Sequence, residues 1–110
     1  MILQLYNVLD NERNEFVMMI PITDDITARR SFERLFKTGE IMRSIPDIKD
    51  YPAKFDVYKV GNWNQENGIV TNYDNNEFLL NFNSFIRSNL ENALCLIRIF
   101  QITTYKGIKV

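Results

Sequence analysis

The sequence predicts an α+β fold: a small antiparallel sheet (ββαββ) with a C-terminal helix, in a single domain over residues 1–110. Three observations carry that expectation. Short runs rich in β-branched and aromatic residues are bounded by Asn, Asp, Gly and Pro; one stretch with helical apolar spacing lies between a capping cluster and a glycine; and a second such stretch follows the last strand. With 110 residues, 45% hydrophobic and 25% charged, the chain lies inside the globular range. A chain of this size buries about two thirds of its surface, enough for one core.

Leu3, Leu5 and Val8, with Tyr6 between them, form the expected first strand, and the polar run Asp10, Asn11, Glu12, Arg13, Asn14 is turn material. Residues 16–20 follow as a second strand closed by Pro21. Thr23, Asp24 and Asp25 supply capping side chains and early negative charge. Ile26, Phe32, Leu35 and Phe36 then recur at helical spacing as far as Gly39, which predicts a helix over residues 24–38. Pro46 and Pro52 bracket a connector over 44–52, because proline disfavours helix at its own position and the one before. Phe55, Val57 and Val60, with Tyr58, give a third strand. Residues 61–68 read as a loop ending in the Asn67-Gly68 pair favoured in tight hairpins, and 69–73 return as a fourth strand. Asp74, Asn75 and Asn76 read as another turn. Phe82, Phe85, Ile86, Leu90, Ala93, Leu94 and Ile97 predict a second helix over 81–101, and 103–110 end the chain as a short strand or basic tail.

Several chemistries are excluded at this level. With no histidine and one cysteine, the usual zinc sites, His-dependent triads and an intramolecular disulfide are absent. Cys95, inside an apolar helical pattern, reads as a small core hydrophobe rather than a nucleophile. Asp24 and Asp25 suit a helix N-terminus better than a metal or acid–base pair, and Asp10, Glu12 and Glu15 read as solvated turn charges. No P-loop, dinucleotide glycine pattern or serine elbow occurs, so neither an enzyme, a cofactor nor a metal site is expected. The longest apolar stretch, 94–100, is interrupted by Arg98 and falls far short of the ~20 residues of a membrane span, and the N-terminus does not read as a secretory signal.

What remains is binding. The net charge is −1, so phosphate attraction requires a local patch. Residues 28–43 carry Arg29, Arg30, Arg34, Lys37 and Arg43 against Glu33 and Glu40, and Arg29 and Glu33 are spaced to pair. Arg30, Arg34 and Lys37 fall at i, i+4 and i+7, a basic ridge that either touches phosphates or is a solvated face. The last 27 residues carry Arg87, Arg98, Lys106 and Lys109 against Glu91 alone. Aromatic and basic residues adjoin at Tyr58-Lys59 and Tyr105-Lys106, the pairing by which single-stranded nucleic acid is held through stacking and backbone neutralisation. The competing reading is that the strand aromatics fill the core. Trp63, in an Asn-rich segment, either folds back onto the body or serves a surface. The second helix is apolar around its axis at Leu94, Leu96, Ile97, Ile99 and Phe100, which suggests a homodimer.

Three segments, in order, carry a family resemblance. Tyr6-Asn7-Val8-Leu9-Asp10 followed by Phe16 resembles a Tyr-x-Val-x-Asp start and subsequent strand; Ala28-Arg29-Arg30-Ser31-Phe32 resembles an Ala-x-Arg-x-Phe helix motif; and Phe55 through Asn64, with Gly68-Ile69 beyond, resembles a strand, Gly-x-aromatic-Asp/Asn and Gly-Ile/Glu hairpin. Over residues 1–72 the chain is thus similar to the small nonstructural DNA-binding protein of gokushovirus-type microviruses, the phage open-reading-frame-five family, with 73–110 as an unmatched helix and tail. The resemblance implies a nonstructural phage protein in the host cytoplasm that binds single-stranded DNA during viral genome synthesis. Arg30, Tyr58 and Trp63 are the matched positions with suitable chemistry; Arg34, Lys37, Lys59 and Lys106 extend the expected site. The alternative expectation is a dimeric interaction protein that binds a host or phage replication or assembly factor.

Overall fold

The computed structural model describes residues 1–86 and has the predicted ββαββ order: β1 (Ile2–Asp10), β2 (Glu15–Ile22), α1 (Asp25–Thr38), β3 (Phe55–Asn64) and β4 (Val70–Asn81). Two 3-10 turns, Glu40–Arg43 and Pro52–Lys54, lie in the connector between α1 and β3. All strand pairs are antiparallel, in the order β2-β1-β3-β4, so the fold is α+β with a single sheet.

Helix α1 starts and stops where its chemistry dictates. Asp24 Oδ1 accepts the Thr27 N–H at 2.7 Å, and Gly39 (φ 82°) takes the left-handed conformation, its N–H donating to the Phe36 carbonyl at 3.2 Å. Ala28, Phe32 and Phe36, spaced by four, are buried against the sheet. Ile26 was expected in that stripe and is instead 66% exposed, because a step of two from Ala28 turns it about 200° around the axis. Against α1 pack Tyr6 and Val8 of β1, Phe55 and Val57 of β3, and Leu79 and Leu80 of β4. The connector contributes Ile41, Ile45 and Ile48, and Phe82 packs its ring against Phe32, Phe36 and Phe85 at centroid distances of 5.5–5.9 Å.

Three boundaries differ from the sequence expectation, each for a physical reason. Strand β2 runs through Pro21 to Ile22, since at a sheet edge the missing proline N–H costs no ladder bond. Strand β3 continues through Gly61 to Asn64, so Trp63 lies in a strand, opposite Leu3 and Val70, and not in a loop. The loop is confined to 65–69, where Asn64 Oδ1 accepts the Glu66 N–H and Asn67 Oδ1 accepts the Ile69 N–H, both at 2.9 Å, and Gly68 has φ 76°. Finally, β4 passes straight through Asp74-Asn75-Asn76; the ladder breaks there, between the Gly61–Asn72 and Lys59–Glu77 pairs, and an edge strand tolerates such a bulge. The expected second helix begins at residues 83–86, after Asn81, whose Oδ1 accepts the Asn83 N–H. Its remainder, Cys95 and the basic tail lie outside the described residues.

Candidate nucleic-acid interface

Directly opposed residues in a ladder share a face, and successive residues alternate. Tyr6 and Val8 point to α1, so Leu3, Leu5, Asn7 and Leu9 point to the other side. Through the register, that side also carries Phe16, Met19 and Pro21 of β2, Tyr58 and Trp63 of β3, and Val70 and Phe78 of β4. Among the described residues nothing covers it: Phe16 is 44% exposed, and Met19, Val70 and Phe78 are each 55% exposed. A row of rings crosses the sheet. Tyr58 stands edge-to-face with Phe16 at 6.3 Å on one side and with Phe78 at 5.7 Å on the other. Trp63 lies further along β3, past Gly61, where a Cβ would come within 2.2 Å of the Thr71 carbonyl oxygen, so glycine is required for β4 to pass this close.

None of the paired positions on this face is basic, and Asp56 is its only charged one, accepting from Asn11 and Asn81 amides at 3.1 and 2.7 Å. The cations lie elsewhere. Lys59 points to the helix side, with Nζ 3.3 Å from Asp25 Oδ1 and 3.4 Å from Glu77 Oε2. Arg30 is exposed on α1; Arg34 is 3.7 Å from Glu40, and Lys37 is 3.3 Å from Glu33. Arg29 does not pair with Glu33 but donates to the Leu79 carbonyl at 2.9 Å. Lys106 lies outside the described residues. The sheet therefore separates Tyr58 and Trp63 from Arg30, Arg34, Lys37 and Lys59.

On the helix side, Asp25 is not a cap. Its Oδ1 accepts the Tyr6 hydroxyl at 2.7 Å as well as the Lys59 ammonium, while Tyr73 donates to Gln4 Oε1 at 2.6 Å nearby. The Tyr6 hydroxyl, and then Lys59, hold the Asp25 carboxyl below the usual carboxylate range despite its partial burial. Burial, with Asp25 beside it, pushes the Tyr6 phenol well above its ordinary value. For Lys59, burial pulls downward and the Asp25 and Glu77 carboxylates outweigh it, so the ammonium is held charged. This network ties α1 to β1, β3 and β4.

Sequence reasoning missed Phe16 and Phe78 as partners of Tyr58. Each flanks a predicted turn, and only the strand register brings them together.

The architecture defines a class: a small two-layer α+β protein, one helix on one sheet, whose other sheet face is aromatic and solvent-open. The family described as Phage ORF5 protein matches residues 3–85, and the chain belongs to it, which makes it a bacteriophage protein. The match runs past residue 72, through all of β4 and into the start of the following helix. No curated protein and no solved structure matches the chain.

Proposed function

We propose that this protein binds single-stranded DNA without catalysing a reaction, laying bases on the open face of the sheet during phage genome synthesis in the host cytoplasm. The observation that carries the reading is the ring row Phe16, Tyr58, Phe78, with Trp63 beside it, on a sheet whose other face is filled by α1. Rings on an open sheet stack splayed bases, each contributing about 1 to 3 kcal/mol with little regard to sequence. Membership of the phage family supports the biological setting. Because the face holds no basic side chain at its paired positions, stacking and not phosphate neutralisation supplies the affinity. Arg30, Arg34 and Lys37 reach a strand only if it also wraps the helix side.

The test is fluorescence anisotropy of a labelled single strand of roughly 30 nucleotides, with Trp63 emission followed in parallel. Binding with quenching supports the reading; absence of both at low salt overturns it. The lack of cations on the face favours one second reading, a dimeric interaction protein whose partner is another copy or a phage or host replication factor. A sizing experiment without DNA separates the two.

A further inference from the structure

Resting on that reading, the geometry points to Asn7 as a base-reading residue. Asn7 lies at the middle of β1 on the open face, opposite Tyr58 on one side and Met19 on the other. Its Oδ1 is buried and has no hydrogen-bond partner, the sole side-chain polar atom in that condition among the described residues. A buried acceptor without a donor is costly, and native proteins retain one where something else supplies the donor. A β1 position on an apolar sheet face is ordinarily served by a β-branched or aromatic residue, which would carry no such cost. The residues around Asn7 are movable: Met19 is 55% exposed and unbranched, and Tyr58 leans on rings that are themselves half exposed. A base stacked on Tyr58 brings its edge next to Asn7.

The ligand class follows from the orphan atom. An acceptor needs a donor, and a base edge presents one beside an acceptor: an exocyclic amino group next to a ring nitrogen in adenine and cytosine, or a ring N–H next to a carbonyl in guanine and thymine, either of which the Asn7 amide meets with Oδ1 and Nδ2. Adenine is the base whose edge donor can be removed without changing the stacking ring, which makes it the probe for this contact.

The experiment is a cycle between protein and DNA, read by anisotropy and Trp63 emission on the full chain. Adenine is replaced by purine, which keeps the stacking ring and lacks the amino group, and Asn7 by leucine, of similar size and without polar atoms. In the wild type, loss of the amino groups weakens binding about tenfold, or ~1.4 kcal/mol. In Asn7→Leu the same change in the DNA has no effect. The variant also melts at a higher temperature than wild type, which shows that it folds and that the amide was unsatisfied without DNA. Equal affinity for adenine and purine strands in the wild type, or a preference that survives Asn7→Leu, overturns the assignment while leaving sheet-face binding intact. Absence of Trp63 quenching by every strand overturns the underlying reading instead. A dimer without DNA that Phe78→Lys dissociates gives the face, and the Asn7 donor, to a second copy, and overturns both.

Discussion

Tyr58 and Lys59 are consecutive in β3 and serve opposite faces of the sheet. The Tyr58 ring stands half-buried between the more exposed rings of Phe16 and Phe78, whereas the Lys59 ammonium is 3.3 Å from Asp25 and 3.4 Å from Glu77 on the helix side. An adjacent aromatic–basic pair in a strand cannot act on one ligand as a unit, because the pleat sends the two side chains apart. The cation is used by the fold, and the aromatic stays on the face that no element covers among the described residues.

That division predicts different phenotypes. Tyr58→Ala weakens single-strand binding by about 1 to 3 kcal/mol, the worth of one stacked base. Lys59→Gln leaves affinity within about twofold and costs roughly 1 kcal/mol of stability, since it places two carboxylates together without their cation. Anisotropy and thermal melts on both variants decide it. If Lys59→Gln loses as much affinity as Tyr58→Ala, the bound strand reaches the helix side.

The Tyr6–Asp25 hydrogen bond predicts how stability depends on pH. Asp25 has a lowered folded-state pKa, so its contribution is present above the ordinary carboxylate value near 3.8 and is lost as pH falls through the folded value. Tyr6 is shifted the other way. Its contribution is complete below the ordinary phenol value of 10.0 and declines above it, as the unfolded chain ionises a phenol that the fold keeps neutral. Tyr6→Phe should cost about 1 kcal/mol at neutral pH, discounted from a buried charged hydrogen bond because the Asp25 side chain is 42% exposed. Its deficit should shrink below pH 3.8 and above pH 10.0. A deficit constant from pH 3 to 11 would assign the loss to packing rather than to the Tyr6–Asp25 bond.

Local chemistry made much of the fold legible. The Asp24 cap, the Gly39 stop and the Asn67-Gly68 turn are each decided by a few neighbouring residues, and the structure has all three. What was not legible depends on pairing across the chain. Asp74-Asn75-Asn76 has turn composition, yet β4 carries it because an edge strand can bulge where its ladder breaks. Asp25 has the sequence position of a cap, and its actual partners, Tyr6 and Lys59, are 19 and 34 residues away. The same holds for the candidate site. Tyr58 and Trp63 stood out as large rings, but their separation from Arg30, Arg34 and Lys37 is a property of the sheet, which no spacing along the chain encodes.

Gly61 predicts a coupling between fold and site. A methyl group there meets the Thr71 carbonyl oxygen at 2.2 Å and the Asn72 Cα at 3.1 Å, both backbone, so β4 must move away from β3. Gly61→Ala should cost about 1 to 3 kcal/mol, the usual range for overpacking, and lower the melting temperature by roughly 4 to 8 °C per kcal/mol. The displaced segment carries Val70, opposite Trp63, so the Trp63 emission maximum should move to the red. An unchanged melting temperature and emission would mean that β4 does not lie this close to β3 in solution.

The salt dependence of binding separates the two surfaces most directly. Each phosphate neutralised on a single strand adds about 0.7 to the slope of log K against log salt. A site that used Arg30, Arg34 and Lys37 together would have a slope near −2, and reversing two of these charges would remove most of it. The open face has no basic residue at its paired positions, so binding there should have a slope smaller in magnitude than about 1. Arg30→Glu combined with Arg34→Glu should leave both affinity and slope nearly unchanged, since these side chains lie on α1 with the sheet between them and the rings. The surface ion pairs Arg34–Glu40 and Lys37–Glu33 reinforce the contrast by partly neutralising the ridge. A steep slope that the double reversal flattens would move the site to the helix, and Tyr58→Ala would then have little effect on binding. Titrations of wild type, the double reversal and Tyr58→Ala at three salt concentrations give the answer, because the two surfaces predict opposite rankings of the variants.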